Sequence, residues 1–165
     1  MLSISSTEAI SMISESSKYG HSILVSRIMS SLAKHFHIDN EEWVLAGLLH
    51  DLDYDLVDGD MNKHGLVAAS MLKDKVSDNV LHAIISHDHR TGIKPITRLD
   101  KSLKFADSLA VLLEDQSVRI VPDADELSRL IESESKVKPW IGDIIESYCA
   151  EYGLPLHTIL DLVLE

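Results

Sequence analysis

Trp43-Val44-Leu45-Ala46-Gly47-Leu48-Leu49 is an unbroken apolar run, and it ends on His50-Asp51. An imidazole and a carboxylate carried together to the inner end of a buried helix make poor packing. A buried carboxylate without a partner is strongly unfavourable, so Asp51 requires a cation. The pair suits neighbouring ligands of a metal ion. Two adjacent residues cannot share one helical face, but a chain that turns at a helix end can aim both at one point. The expected helix runs from about Glu41 to Leu52, capped by Asp39-Asn40.

Working outward, four further candidates lie on apolar helical stripes. His21 continues into Val25, Ile28 and Leu32. His64 shares a face with Val67, Ala68 and Met71, and His87 with Val80 and Ile84. Asp107 stands between Leu103 and Ala110. Taken singly, each histidine reads as a core-edge residue with one hydrogen bond, and each aspartate as half of a salt bridge. Asp107 fits that bland account least, because Lys101 and Lys104 can equally point outward. Taken together, His21, His50, Asp51, His64, His87 and Asp107 occupy inward positions on five expected helices. Imidazole with carboxylate suits iron, manganese, zinc or nickel rather than calcium. Six ligands exceed one tetrahedral site, so one or two divalent transition-metal ions are expected, with a carboxylate shared between them.

The other histidines carry less. His82 and His89 share a face distinct from that of His87, at the mouth of a site or at the surface. His35 and His37 end a helix, where the dipole favours a cation. His157 lies far from the rest.

Helical periodicity dominates the whole chain and strand alternation is scarce. The first helix is expected from Ser5-Ser6-Thr7-Glu8 to about Ser17, and Gly20 separates it from a second over about 21–37. Others cover about 63–74, 78–87, 98–114, from near Pro122 to 134, 139–152 and 156–164. Acidic 53–62 and Gly/Pro-bearing 90–95 are expected loops. This predicts an all-α single domain over 1–165, a helical bundle with its ligand-bearing core over about 20–115 and C-terminal helices over about 122–165.

Composition bounds the partners. With 165 residues and net charge −12, the chain is a poor general binder of nucleic-acid backbones, which need clustered Lys and Arg. A small phosphorylated ligand is compatible, given a metal to supply positive charge. The single Cys149 excludes an internal disulfide framework, and a cytoplasmic setting is the simplest expectation. The N-terminus shows no signal-peptide pattern, and no stretch approaches the roughly 20 apolar residues that span a bilayer. A homodimer is left open.

The ordered segments Gly20-His21-Ser22, Ala46-Gly47-Leu48-Leu49-His50-Asp51-Leu52, His64-Gly65-Leu66-Val67-Ala68-Ala69, Ala83-Ile84-Ile85-Ser86-His87 and Lys104-Phe105-Ala106-Asp107-Ser108-Leu109 resemble the HD superfamily of metal-dependent phosphohydrolases. The resemblance implies a first metal held by His21, His50, Asp51 and Asp107. It implies a second held by His64 and His87, with Asp51 bridging. The nearest pattern is that of small bacterial dinucleoside-polyphosphate hydrolases, whose His-Thr-Thr-Gly is replaced here by His87-Asp88-His89-Arg90-Thr91-Gly92. The Lys that many members carry after the doublet is replaced by Asp53-Tyr54-Asp55, and the Gly-Tyr-Pro signature of cyclic-di-nucleotide phosphodiesterases is missing.

The implied chemistry is hydrolysis of a small phosphate ester, a nucleotide or dinucleotide first, by metal-activated water. Asp51 is the central catalytic candidate. Asp53 and Asp55 are candidates for proton acceptor or orienter of a ligand histidine. Arg90, Lys94 and Lys101 are the expected substrate-binding cations. Two rivals stand beside this: a mixed-valent di-iron oxygenase of the same superfamily, and a non-catalytic regulatory domain.

Overall fold

The structure is a computed structural model that describes residues 3–115 and 123–164. Among these residues there are nine α-helices and one 3₁₀ turn, and no strand. The helices are α1 (Ser6–Ile13), α2 (Tyr19–His35), α3 (Glu41–Leu49), α4 (Leu66–Leu72), α5 (Asp78–His87), α6 (Arg98–Asp115), α7 (Ala124–Val137), α8 (Pro139–Tyr152) and α9 (Leu156–Leu164). The 3₁₀ turn is His89–Thr91. The all-α expectation holds. The expected role of Pro122 at a helix start lies outside the described residues.

The apolar run Trp43–Leu49 becomes the central helix. In α3 every residue from Leu45 to Leu49 is buried, as is Trp43. A helix that is apolar on all sides must be surrounded. Helices α1, α2, α5 and α6 pack around it. The C-terminal helices close one side of the bundle, α8 against α6 and α7, and α9 against α2 and α7.

Gly47 sets how closely α2 and α3 approach. A Cβ there would lie 2.6 Å from Ser26 Cα and 2.8 Å from Ser26 N, both backbone atoms that cannot move aside alone. This contact brings His21 of α2 beside the end of α3.

Local signals explain the starts of several helices. Ser5 and Glu8 form a reciprocal capping box on α1, and Ser77 caps α5 through the Val80 amide. Asp39, not Asn40, accepts the Glu41 amide before α3. Several boundaries differ from the sequence reading: α1 ends at Ile13 rather than near Ser17, α7 runs on to Val137, and three others bear on the site. Gly20 is no separator: it lies in the first turn of α2, where its missing Cβ faces open space. α4 starts only at Leu66, because Gly65 turns the chain at φ 83°. α3 ends at Leu49, and the chain then tightens through Leu52 N–H to Leu49 O and Tyr54 N–H to Asp51 O.

Two glycine substitutions separate these roles. Gly47→Ala is expected to destabilise the protein by about 1–3 kcal/mol through overpacking. Gly20→Ala is expected to be neutral or to stabilise by up to about 1 kcal/mol, as for Gly to Ala within a helix. Denaturant unfolding of the two variants checks this; equal stability for both would contradict the close approach at Gly47.

Candidate metal centre

The helix ends supply the first part of the geometry. The last carbonyls of a helix have no partner within it. His50, just past α3, donates its Nδ1–H to Gly47 O at 2.8 Å. His87, the last residue of α5, donates its Nδ1–H to Ile84 O at 2.6 Å. The other two histidines are held by carboxylates. His21 Nδ1 donates to Glu114 Oε2 at 2.8 Å and His64 Nδ1 donates to Asp53 Oδ1 at 2.7 Å. With every Nδ1 engaged as a donor, all four imidazoles aim Nε2 inward.

These Nε2 atoms meet in pairs, His21 with His50 at 3.3 Å and His64 with His87 at 3.2 Å. Asp51 lies between the pairs. Its Oδ2 is 3.5 Å from His50 Nε2 and 3.7 Å from His21 Nε2, while its Oδ1 is 3.0 Å from His64 Nε2 and 3.8 Å from His87 Nε2. Asp107 Oδ1 joins the first pair, 2.9 Å from His21 Nε2 and 3.8 Å from His50 Nε2. Two groups of ligand atoms within 4.8 Å of one another result, His21–His50–Asp51 and Asp51–His64–His87. The donor set fits one or two transition-metal ions, since buried nitrogen lone pairs and carboxylate oxygens otherwise face each other without a cation.

Without a metal, protons take that place. Desolvation acts to lower the pKa of His21, but the Asp107 hydrogen bond and charge, with Asp51 and Glu114, outweigh it and raise it to about 9. Desolvation is likewise outweighed at His64, where Asp51 and Asp53 raise it to about 10. Each imidazolium then donates its Nε2–H to a carboxylate, His21 to Asp107 and His64 to Asp51. His87 goes the other way, pushed down by burial and by the charge of His50. Burial favours the neutral form of Asp51 and Asp107, but the surrounding imidazoles hold both well below the usual carboxylate range.

Asp53 is wholly buried and accepts from His64 Nδ1, from Gly65 N and from Ala68 N, the last two at 2.8 Å. These three donors satisfy the carboxylate and fix the ring of His64. The geometry is that of an orienter. Gly65 is required in this turn: a Cβ on it would lie 3.0 Å from Ile84 O. Asp55 is not brought to the cluster. It is exposed and accepts from the Ser17 amide at 2.9 Å and from the Ser17 hydroxyl, tying the α1–α2 junction.

A cleft opens beside the cluster in two lobes. One, of about 290 Å³, runs past His87, Asp88, His89, Arg90 and Lys104. The other, of about 440 Å³, runs past Tyr54, Met61, Val111, Lys138 and Ile141. Arg90, Asp107, Ser108 and Trp140 border both. Arg90 is thus placed at the cleft, anchored by Asp88 through Nε at 2.8 Å. Lys94 is exposed and borders neither lobe. Lys101 stands six residues before Asp107, off its helical face, and pairs with Glu151 at 2.6 Å. His89 reaches the rim of the first lobe, whereas His82 pairs with Asp100 at 2.8 Å and His157 is exposed on α9. The sequence reading missed Glu114 and assigned Lys104 no role at the site. Both were signalled by spacing from Asp107, seven residues after and three before, on the same face.

The metal-free protein should carry its own pH signature. Protons on His21 and His64 contribute stability fully below their ordinary pKa of 6.5, and that contribution is lost as pH rises through about 9 and 10. Chelator-treated protein is therefore expected to lose thermal stability between pH 7 and 10. Metal-loaded protein is expected to hold or gain it, because the ion replaces those protons. Parallel pH profiles with and without metal would contradict this.

The comparisons agree with the geometry. No curated protein and no solved structure matches the chain. The family model of the HD domain matches residues 19–112, more than half of the chain, and its span contains all six candidate ligands. Members of this family are generally metal-dependent hydrolases. The α7–α9 segment and Glu114 lie beyond the matched span. The chain belongs to the HD domain family.

Proposed function

We propose that this protein hydrolyses a small phosphate ester, a nucleotide or dinucleotide first, using one or two divalent ions. The observation that carries the reading is the split of the Asp51 carboxylate, one oxygen toward each histidine pair. His21, His50, Asp51 and Asp107 would hold one ion. His64, His87 and Asp51 would hold the second. When bound, such ions lower the pKa of a coordinated water and neutralise phosphoryl oxygens.

The chain's own residues account for the rest. Glu114 and Asp53 keep His21 and His64 in the tautomer that presents Nε2. Arg90 and Lys104 border the lobe next to His87 and offer positive charge to phosphoryl oxygens. Water adds to phosphorus and the bond to the leaving oxygen breaks. One water proton ends on the leaving oxygen, and the water oxygen stays with phosphate.

Asp51→Ala is expected to abolish metal-dependent hydrolysis of nucleotide and simple phosphate esters, by at least about a hundredfold, since one substitution removes a ligand from both groups. His157→Ala, on the exposed face of α9, is expected to retain activity. Both are measured by phosphate release after identical loading with Mn²⁺, Fe²⁺, Zn²⁺ or Ni²⁺. Equal release by wild type and Asp51→Ala defeats the proposal. No release by wild type, with dioxygen uptake by the iron-loaded protein, moves the assignment to the oxygenase rival.

A further inference from the structure

The C-terminal helices add something that the matched span does not contain. Trp140 lies in the first turn of α8 with 55% of its surface exposed. The chain's other tryptophan, Trp43, is 4% exposed within the core. Helix α8 itself buries Ile141, Ile145 and Tyr148. Trp140 borders both lobes of the cleft, as Asp107 and Arg90 do.

The two lobes differ in chemistry. Asp107 and Ser108 follow Lys104 at helical spacings of three and four, so α6 turns one polar stripe toward the cleft. With His87, Asp88, His89 and Arg90 this makes the first lobe mainly polar, its two cations, Arg90 and Lys104, set beside the carboxylates of Asp88 and Asp107. The second lobe shares Arg90, Asp107 and Ser108 and adds Lys138, and it places Tyr54, Met61, Val111 and Ile141 beside Trp140. Tyr54 is held there, with Lys18 Nζ 4.3 Å from its ring centre and its ring meeting that of His64 at 89°. A mainly polar lobe thus joins one with an aromatic and aliphatic wall, with a candidate metal ligand at the junction. The volumes of about 290 and 440 Å³ match sites for small organic molecules.

We infer that Trp140 is a substrate-binding residue that stacks on a planar ring, and that the substrate class is a phosphate ester carrying such a ring, of nucleoside monophosphate type. The inference rests on the phosphohydrolase reading for the orientation of the phosphate but not for the ring site. The phosphoryl group lies toward Arg90, Lys104 and Asp107. The ring lies in the second lobe against Trp140. A ringless phosphate gains only the first set of contacts.

Binding and turnover are measured separately. Adenosine monophosphate and glycerol phosphate are titrated into metal-stripped and Mn²⁺-loaded protein, with tryptophan fluorescence as the readout. Trp43 is buried, so saturable quenching reports on Trp140. Adenosine monophosphate is expected to quench and glycerol phosphate is not. Trp140→Ala is expected to weaken affinity for adenosine monophosphate by about five- to a hundredfold, the range for loss of one stacked base, and Trp140→Phe to retain most of it. In turnover with any ring-bearing phosphate that the enzyme accepts, the alanine variant is expected to raise KM far more than it lowers kcat. Equal affinity of wild type for the two phosphates, no quenching in either metal state, or unchanged affinity in Trp140→Ala overturns the inference. Ring-dependent binding without hydrolysis leaves it standing and defeats the hydrolase reading. Hydrolysis without ring preference does the reverse.

Discussion

The structure turns on one buried charge. Asp51 is 6% exposed, has no Lys or Arg partner among the described residues, and is surrounded by imidazoles. A carboxylate in that position must be matched by positive charge, and the neighbouring rings can supply it only as protons or as ligands of a cation. Both solutions demand the same arrangement of Nε2 atoms. The fold therefore has to deliver four rings, from the starts and ends of different elements, to within a few ångströms of one residue.

How it does so is a matter of helix ends. His50 and His87 stand where α3 and α5 finish, and each ring is fixed by a carbonyl of the preceding turn. His21 enters from the first turn of α2, which Gly47 lets lie directly on α3. His64 belongs to no helix. Asp53 holds it by gathering His64, Gly65 and Ala68 at once. That single carboxylate ties the turn after α3 to the start of α4. A substitution at Asp53 would loosen the ring and the backbone together, so its consequences would reach beyond ligand orientation.

Much of this was legible before any coordinates. The Trp43–Leu49 run announced a surrounded helix, and the stripes of His21, His87 and Asp107 marked inward faces, whereas His64 is buried on the turn before α4 and not on the helix its stripe implied. Periodicity suffices there because burial follows from helical spacing. It failed where function depends on contacts between distant segments. Nothing in the order of Asp53-Tyr54-Asp55 says that the first carboxylate is buried under Gly65 while the last is exposed against Ser17. Nor does sequence distance reveal that Lys101, close to Asp107 along the chain, is turned toward Glu151 on α8. Gly20 misled for a related reason: glycine breaks helices only on average, and a first turn tolerates it.

The division between the matched span and the rest of the chain has a physical basis. The candidate ligands need rigid helix ends buried around one charge, and that requirement leaves little freedom in α2 to α6. The cleft wall carries no such burden. Trp140, Ile141 and Ile144 sit on α8, which contacts α6 but supplies no candidate ligand. Side chains there can change without disturbing the charge balance at Asp51. Variation on this one peripheral helix would alter the wall of the cleft and leave the candidate ligands in place, and the recognition proposed for its exposed indole draws on that freedom.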